Sequence, residues 1–173
     1  MFAPLEQFMT DFKVGEKAVY PGHGVAEVVG VARREISGAT LEFYELRVIE
    51  NGMKVMVPRK NAVNVGLRRI VTEEQMQEVY EVLLRRDEKI STATWNRRHR
   101  EYMDKIKTGS LSEIAKVMRD LCLLRGDKEL SFGERKMLNT AQTLLVQELA
   151  LAKGVDEAAM SAELEGLFSE SAS

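Results

Sequence analysis

The residues best suited to chemistry lie between Thr94 and Lys107, where the single tryptophan, Trp95, stands among five basic side chains: Arg97, Arg98, Arg100, Lys105 and Lys107. Guanidinium groups and the free N–H groups of a helix start attract phosphate, and an indole can stack on a base or wedge into a base step. A competing reading is structural. Trp95, His99, Tyr102 and Ile106 recur at i, i+4, i+7 and i+11, one face of a helix, so periodicity by itself makes Trp95 a core residue. Its position directly after Thr94, a candidate N-cap, favours projection beyond the helix bundle instead. The arginines could likewise form a solvated face. A second basic pair, Arg135 and Lys136, follows another helix start, and the two starts could converge on one nucleic-acid backbone.

Few other residues suggest an active site. Gly22-x-Gly24 has phosphate-loop spacing, but such loops deliver phosphate to a helix and here a β-rich run follows, so a β-turn is expected. His23 and His99 are the only histidines. Neither stands at H-x-x-x-H or H-E-x-x-H spacing, and His23 reads as a turn residue. The lone cysteine, Cys122, excludes an internal disulfide and a thiolate zinc cluster, and it falls on the apolar stripe of its helix. No nucleophile–base pair can be named. The chain is therefore read as a binding protein rather than an enzyme, with no metal, cofactor or small-molecule substrate.

The elements that must position the basic stretch follow from composition and pattern. Hydrophobic residues at 45% and charged residues at 30% suit a folded globular chain rather than a disordered one. The net charge of −2 conceals a segregation: residues 85–136 hold 14 lysines and arginines against 9 carboxylates, whereas residues 137–173 hold 1 against 6. A local basic stripe can neutralise phosphates although the whole chain is slightly acidic. No apolar run approaches the roughly 20 residues of a membrane span, and the opening MFAPLEQFMTDF lacks the pattern of a secretory signal. A cytoplasmic, nucleoid-associated location without membrane contact is expected.

From Phe12 to about Val71 short β-branched and aromatic runs alternate with glycine turns, giving about five strands and a small barrel. KAVY and VAEVVGVA flank Pro21-Gly22-His23-Gly24. Leu41–Glu50 and Met53–Pro58 flank Asn51-Gly52, for which a tight type I′ turn is expected. Beyond Val71 the chain reads as five helices near 73–86, 94–107, 111–125, 132–153 and 156–168. Capping boxes are expected at Thr72/Gln75, Ser110/Glu113 and Ser131/Glu134, and stops at Gly109, Gly126 and Gly154. The expected fold is α+β, with a loose leader at 1–11, a β-barrel domain at 12–71, a helical domain at 72–168 and a loose tail at 169–173.

Five motifs together resemble the CarD-like bacterial transcription regulators, close to the CdnL branch. They are F-K-V-G-E-K-A-V-Y-P-G-H-G (Phe12 to Gly24), E-N-G-M-K-V-M-V-P (Glu50 to Pro58), T-W-N-R-R (Thr94 to Arg98), K-I-K-T-G-S (Lys105 to Ser110) and L-S-F-G-E-R-K-M-L (Leu130 to Leu138). The resemblance implies a Tudor-like or SH3-like N-terminal barrel, shared with transcription-repair coupling factors, that docks on the β subunit of bacterial RNA polymerase. It implies a helical domain that contacts promoter DNA and stabilises the open promoter complex. Carried over by position, polymerase contact falls on Arg34, Arg47, Met56 and Pro58. DNA contact falls on Trp95, Arg97 and Arg98, and more weakly on Arg135 and Lys136, with the tryptophan wedged in the minor groove at the upstream edge of the melted region. His99 departs from the aromatic residue that family members often carry. A monomer is expected. The rival readings are a protein–protein adaptor without DNA contact and an RNA-binding module.

Overall fold

A computed structural model describes residues 11–169. The expected loose ends fall outside that range apart from Asp11 and Ser169. The chain divides between Ile70 and Val71 into two units. In the first, β1 (Lys17–Tyr20), β2 (Gly24–Ile36), β3 (Ala39–Val48), β4 (Lys54–Pro58) and β5 (Arg68–Arg69) form an antiparallel sheet in the order β4-β3-β2-β1-β5. This is the five-stranded unit expected of a small Tudor-like barrel. Strand periodicity decides its core: Tyr44, Leu46 and Val48 of β3 are buried, with Ala26 and Val28 of β2 and Val57 of β4, while Glu45 and Arg47 point to the opposite face. Phe12 closes this core edge-on against Tyr44, ring centroids 5.8 Å apart, and its backbone N–H donates to the Tyr44 hydroxyl.

The tight turn lies elsewhere than the sequence suggests. Ile36 pairs with Ala39, and Ser37 and Gly38 between them have φ of 53° and 80°. Two consecutive positive φ angles between paired strands are the signature of the type I′ hairpin. At Asn51-Gly52 only Gly52 is left-handed, with φ 71°, and the last paired residues are Arg47 and Lys54. Asn51 instead accepts a hydrogen bond on Oδ1 from the Met53 N–H at 2.9 Å. That side-chain closure suits a wider loop and leaves Asn51 outside the left-handed region. The Pro21-Gly22-His23 loop is the turn expected, with the His23 N–H donating to the Tyr20 carbonyl at 2.9 Å.

The second unit has α1 (Glu73–Leu84), α2 (Trp95–Lys107), α3 (Leu111–Asp127), α4 (Phe132–Lys153) and α5 (Glu157–Ser169). Reciprocal capping boxes form at Thr72/Gln75 and Ser131/Glu134. At α3 the box is half-made. The Ser110 hydroxyl accepts the Glu113 N–H, but the Glu113 carboxylate turns to Lys116 at 2.8 Å and Lys105 at 3.6 Å, and the Ser110 N–H donates to the Thr108 hydroxyl. Gly109 (φ 72°) and Gly154 (φ 74°) end α2 and α4, whereas Gly126 lies inside α3, which runs on to Asp127. Buried Met118, Leu121, Leu145, Leu149, Met160 and Leu164 make the centre of the bundle, so α3 and α4 hold the other helices in place. Cys122 is buried there, its thiol pushed up to about 12 by burial, and is unreactive.

Because serine has no special tolerance for the left-handed region, Ser37→Asn should stabilise the first unit by about 0.5 kcal/mol, and Gly38→Ala should destabilise it by about 1–2 kcal/mol. Urea unfolding of the two variants checks both signs.

Candidate nucleic-acid interface

Helix α2 starts against the usual rules. Every other helix of its unit has a carboxylate in the first turn, whereas α2 has none and opens W-N-R-R. Thr94 occupies the N-cap position but its side chain makes no capping hydrogen bond, contrary to expectation. The first N–H groups of α2 and its positive dipole end therefore face cationic side chains, a local conflict that favours an incoming anion. Arg97 is exposed and pairs with Glu101 at 3.5 Å. Arg100 and Lys107 are exposed and make no ion pair among the described residues.

Of the expected face, Tyr102 and Ile106 are buried and Trp95 is half-buried, but Arg98 rather than His99 completes the buried side of α2. His99 is exposed and stands edge-on to Trp95, centroids 5.5 Å apart. Arg98, expected at a phosphate, is only 8% exposed. Its Nε donates to the Ala93 carbonyl at 3.1 Å and its Nη1 to the Glu134 carboxylate at 3.2 Å, so its hydrogen bonds point into the protein. The guanidinium lies 5.2 Å from the centroid of the Trp95 ring. Glu134 uses its other oxygen to accept the Ser131 N–H at 3.0 Å, so one carboxylate closes the α4 capping box and grips α2.

Trp95 is half-buried, packed in part against the bundle core, and its Nε1 edge faces the backbone of Gly133. Trp95 thus packs against the core without being enclosed by it. Arg135 and Lys136 follow in the first turns of α4, exposed and without ion pairs among the described residues. The contact with Gly133 brings the starts of α2 and α4 together. Phe132, the residue before Gly133, is 75% exposed. Sequence reasoning passed over it, although its phase was available: it lies off the apolar stripe of Leu138, Ala141, Leu145 and Leu149. The resulting surface is apolar at Trp95 and Phe132 and cationic at Arg97, Arg100, Arg135 and Lys136. Such a surface can stack on bases while neutralising phosphates.

In the sheet, strand register fixes the other set of candidate residues. Arg47 pairs with Lys54, Met56 with Glu45, Pro58 with Phe43 and Arg34 with Leu41, and the two-residue alternation places Arg34, Arg47, Met56 and Pro58 on the face opposite to Tyr44 and Leu46. Arg47 pairs with Glu27 at 2.7 Å, and Met56 is exposed on β4, the end strand of the sheet. An end strand carries unpaired backbone groups that can accept another strand. Among the described residues, no helix is long and apolar enough to cross a membrane, and no three His, Cys, Asp or Glu side chains are grouped to hold a metal.

Comparison with known proteins agrees over both units. The profile of the CarD-like/TRCF RID domain matches residues 12–71, and that of the CarD C-terminal domain matches residues 78–165. YdeB of Bacillus subtilis (strain 168), described as a candidate transcription factor, is 30% identical over 146 residues, 84% of this chain and 95% of that protein. A solved structure of CdnLNt from Myxococcus xanthus is 51% identical, covering 36% of this chain and 89% of its own, with a TM-score of 0.32.

Burial pushes the Glu134 carboxyl up, yet the Ser131 N–H and hydroxyl, Arg98 and Lys128 together hold it below its ordinary 4.5. A carboxyl with a lowered folded value lends stability that is complete above about pH 4.5 and is lost as pH falls through that lowered value. Glu134→Gln should therefore cost about 1.5–3 kcal/mol at neutral pH. Urea midpoints of the two proteins should converge as the solution is acidified below pH 4.5. A penalty that persists undiminished in acid contradicts the ion-pair assignment.

Proposed function

Because this chain belongs to the CarD-like family of transcription regulators and carries the RNA polymerase-interacting domain of that family, we propose that it docks on the polymerase β subunit and contacts promoter DNA at the upstream edge of the bubble, stabilising the open complex. The observation that carries this reading is the surface at the joined starts of α2 and α4. There Trp95 and Phe132 lie among exposed Arg97, Arg100, Arg135 and Lys136. Arg98 is reassigned: it supports Trp95 from within rather than reaching phosphate.

A ligand shifts the closed-to-open equilibrium only by binding the open state better. An aromatic ring finds a better site where bases are already unstacked, and a base–aromatic stack is worth about 1–3 kcal/mol. Docking through the sheet raises the local concentration of the DNA-binding surface, so weak DNA affinity is sufficient. Arg34, Arg47, Met56 and Pro58 supply the polymerase-facing side of the sheet, with β4 as the strand edge. Minor-groove and backbone contacts read little sequence, and no consensus operator is expected. The protein acts as a monomer in this scheme.

Trp95→Ala should shorten open-complex lifetime by roughly tenfold to a hundredfold while leaving polymerase affinity intact. An unchanged lifetime with a folded variant removes the wedge. Phe132→Ala should shift the lifetime in the same direction by a smaller factor. Arg97→Ala and Arg135→Ala should each lower the salt slope of fork-DNA binding by about 1, as loss of one phosphate contact predicts. Met56→Glu places a charge on the docking face, and pull-down with purified polymerase should fail while binding to fork DNA persists.

A further inference from the structure

We propose that Gly133 and the buried Arg98–Glu134 pair are positioning residues that fix the pose of Trp95 before DNA arrives, a role that rests on reading Trp95 as the DNA contact. The first observation is the glycine. A β-carbon at residue 133 would lie 2.8 Å from Trp95 Nε1, closer than such contacts come, and 3.1 Å from Cε2 and Cζ2, so the indole would have to shift. Gly133 does not have a positive φ, so its backbone does not require glycine. It lies in the first turn of α4, where alanine is the better helix former. What requires glycine at this position is the indole resting on it.

The second observation is the guanidinium of Arg98, 5.2 Å from the indole centroid and itself buried and hydrogen-bonded. Its Nε is held by the Ala93 carbonyl and its Nη1 by Glu134, whose second oxygen is held by the Ser131 N–H. Side-chain exposures of 10% and 3% for Arg98 and Glu134 keep this pair from being loosened by water. The indole is therefore bounded by groups on two helices: Arg98 and His99 on α2, and Gly133 on α4. A ring ordered in advance loses little freedom when it meets a base. Releasing it should weaken its contribution by about two- to tenfold, the usual cost of ordering one side chain at an interface.

The test is a double-mutant cycle on the full chain. Gly133→Ala and Arg98→Lys are made singly and in the Trp95→Ala background. Open-complex lifetime, polymerase affinity and circular dichroism are measured for each protein, and acrylamide quenching of the indole for those that keep Trp95, the single tryptophan. Gly133→Ala favours helix and keeps the fold, so it is the decisive variant should Arg98→Lys unfold. With Trp95 present, each substitution should alter quenching and shorten the lifetime two- to tenfold at unchanged polymerase affinity. In the Trp95→Ala background the same substitutions should change the lifetime no further. Equal losses in both backgrounds, or an unaltered indole in Gly133→Ala, overturn the proposal. If Trp95→Ala alone leaves the lifetime unchanged, the DNA reading fails instead, and the quenching result alone then decides whether Gly133 restrains the ring.

Discussion

The Glu134 carboxylate is the point on which the helical unit's surface turns. One oxygen completes the cap of α4 through the Ser131 N–H, and the other holds Arg98, whose Nε is tied to the carbonyl of Ala93 just before α2. A buried ion pair of this kind adds little net stability over an apolar substitute, but truncating one partner, with no hydrogen-bonding group left in its place, leaves an unpaired buried charge and costs about 3–5 kcal/mol. Such a pair specifies geometry more than it stabilises. Here the geometry is the meeting of two helix starts, and Trp95, Phe132, Arg97 and Arg135 depend on it for their common surface.

The basic character of residues 85–136 divides along the same line. Arg98 and Arg119 are spent inside the unit, the latter bonded to Glu88 at 2.7 Å and to the Val82 carbonyl, where it ties the segment after α1 to α3. Arg125 pairs with Glu165, and Lys105 and Lys116 share Glu113. At the starts of α2 and α4, what is left for a polyanion is a small set: Arg100, Arg135 and Lys136, without ion pairs among the described residues, and Arg97 in an exposed pair with Glu101. A handful of phosphate contacts gives weak, salt-sensitive binding on its own. A second attachment through the sheet is then a physical need of the proposed role, since effective concentration supplies what the charge count does not.

The sequence made the elements legible because their signals are local. Binary alternation marked β3, capping residues marked α1 and α4, and Gly109 and Gly154 marked two helix ends. It misplaced the type I′ turn because Asn51 had two uses for its side chain, and the choice depended on a hydrogen bond to Met53 rather than on the residue pair itself. The candidate surface was half-legible. Trp95, Arg97, Arg135 and Lys136 came from composition, position and resemblance, but the fate of Arg98 depended on Glu134, 36 residues away, which no periodicity within α2 encodes. Gly133 was equally silent, since a glycine in the first turn of a helix carries no backbone signature and its meaning comes only from the ring beside it.

The restraint proposed for the half-buried indole also bears on which DNA state is preferred. A flexible aromatic side chain could adapt to the outside of an intact duplex, whereas a fixed one presents a single shape and needs a gap that already exists. Entering a stacked step costs a few kcal/mol of unstacking, comparable to the stack gained. At a melted edge that cost has been met by strand opening, and the gain is kept in full. Restraint of Trp95 by Gly133, Arg98 and Glu134 therefore acts in two ways on the proposed equilibrium. It removes the entropy penalty from binding the open state, and it withholds from the closed state the accommodating contacts that a mobile ring would make.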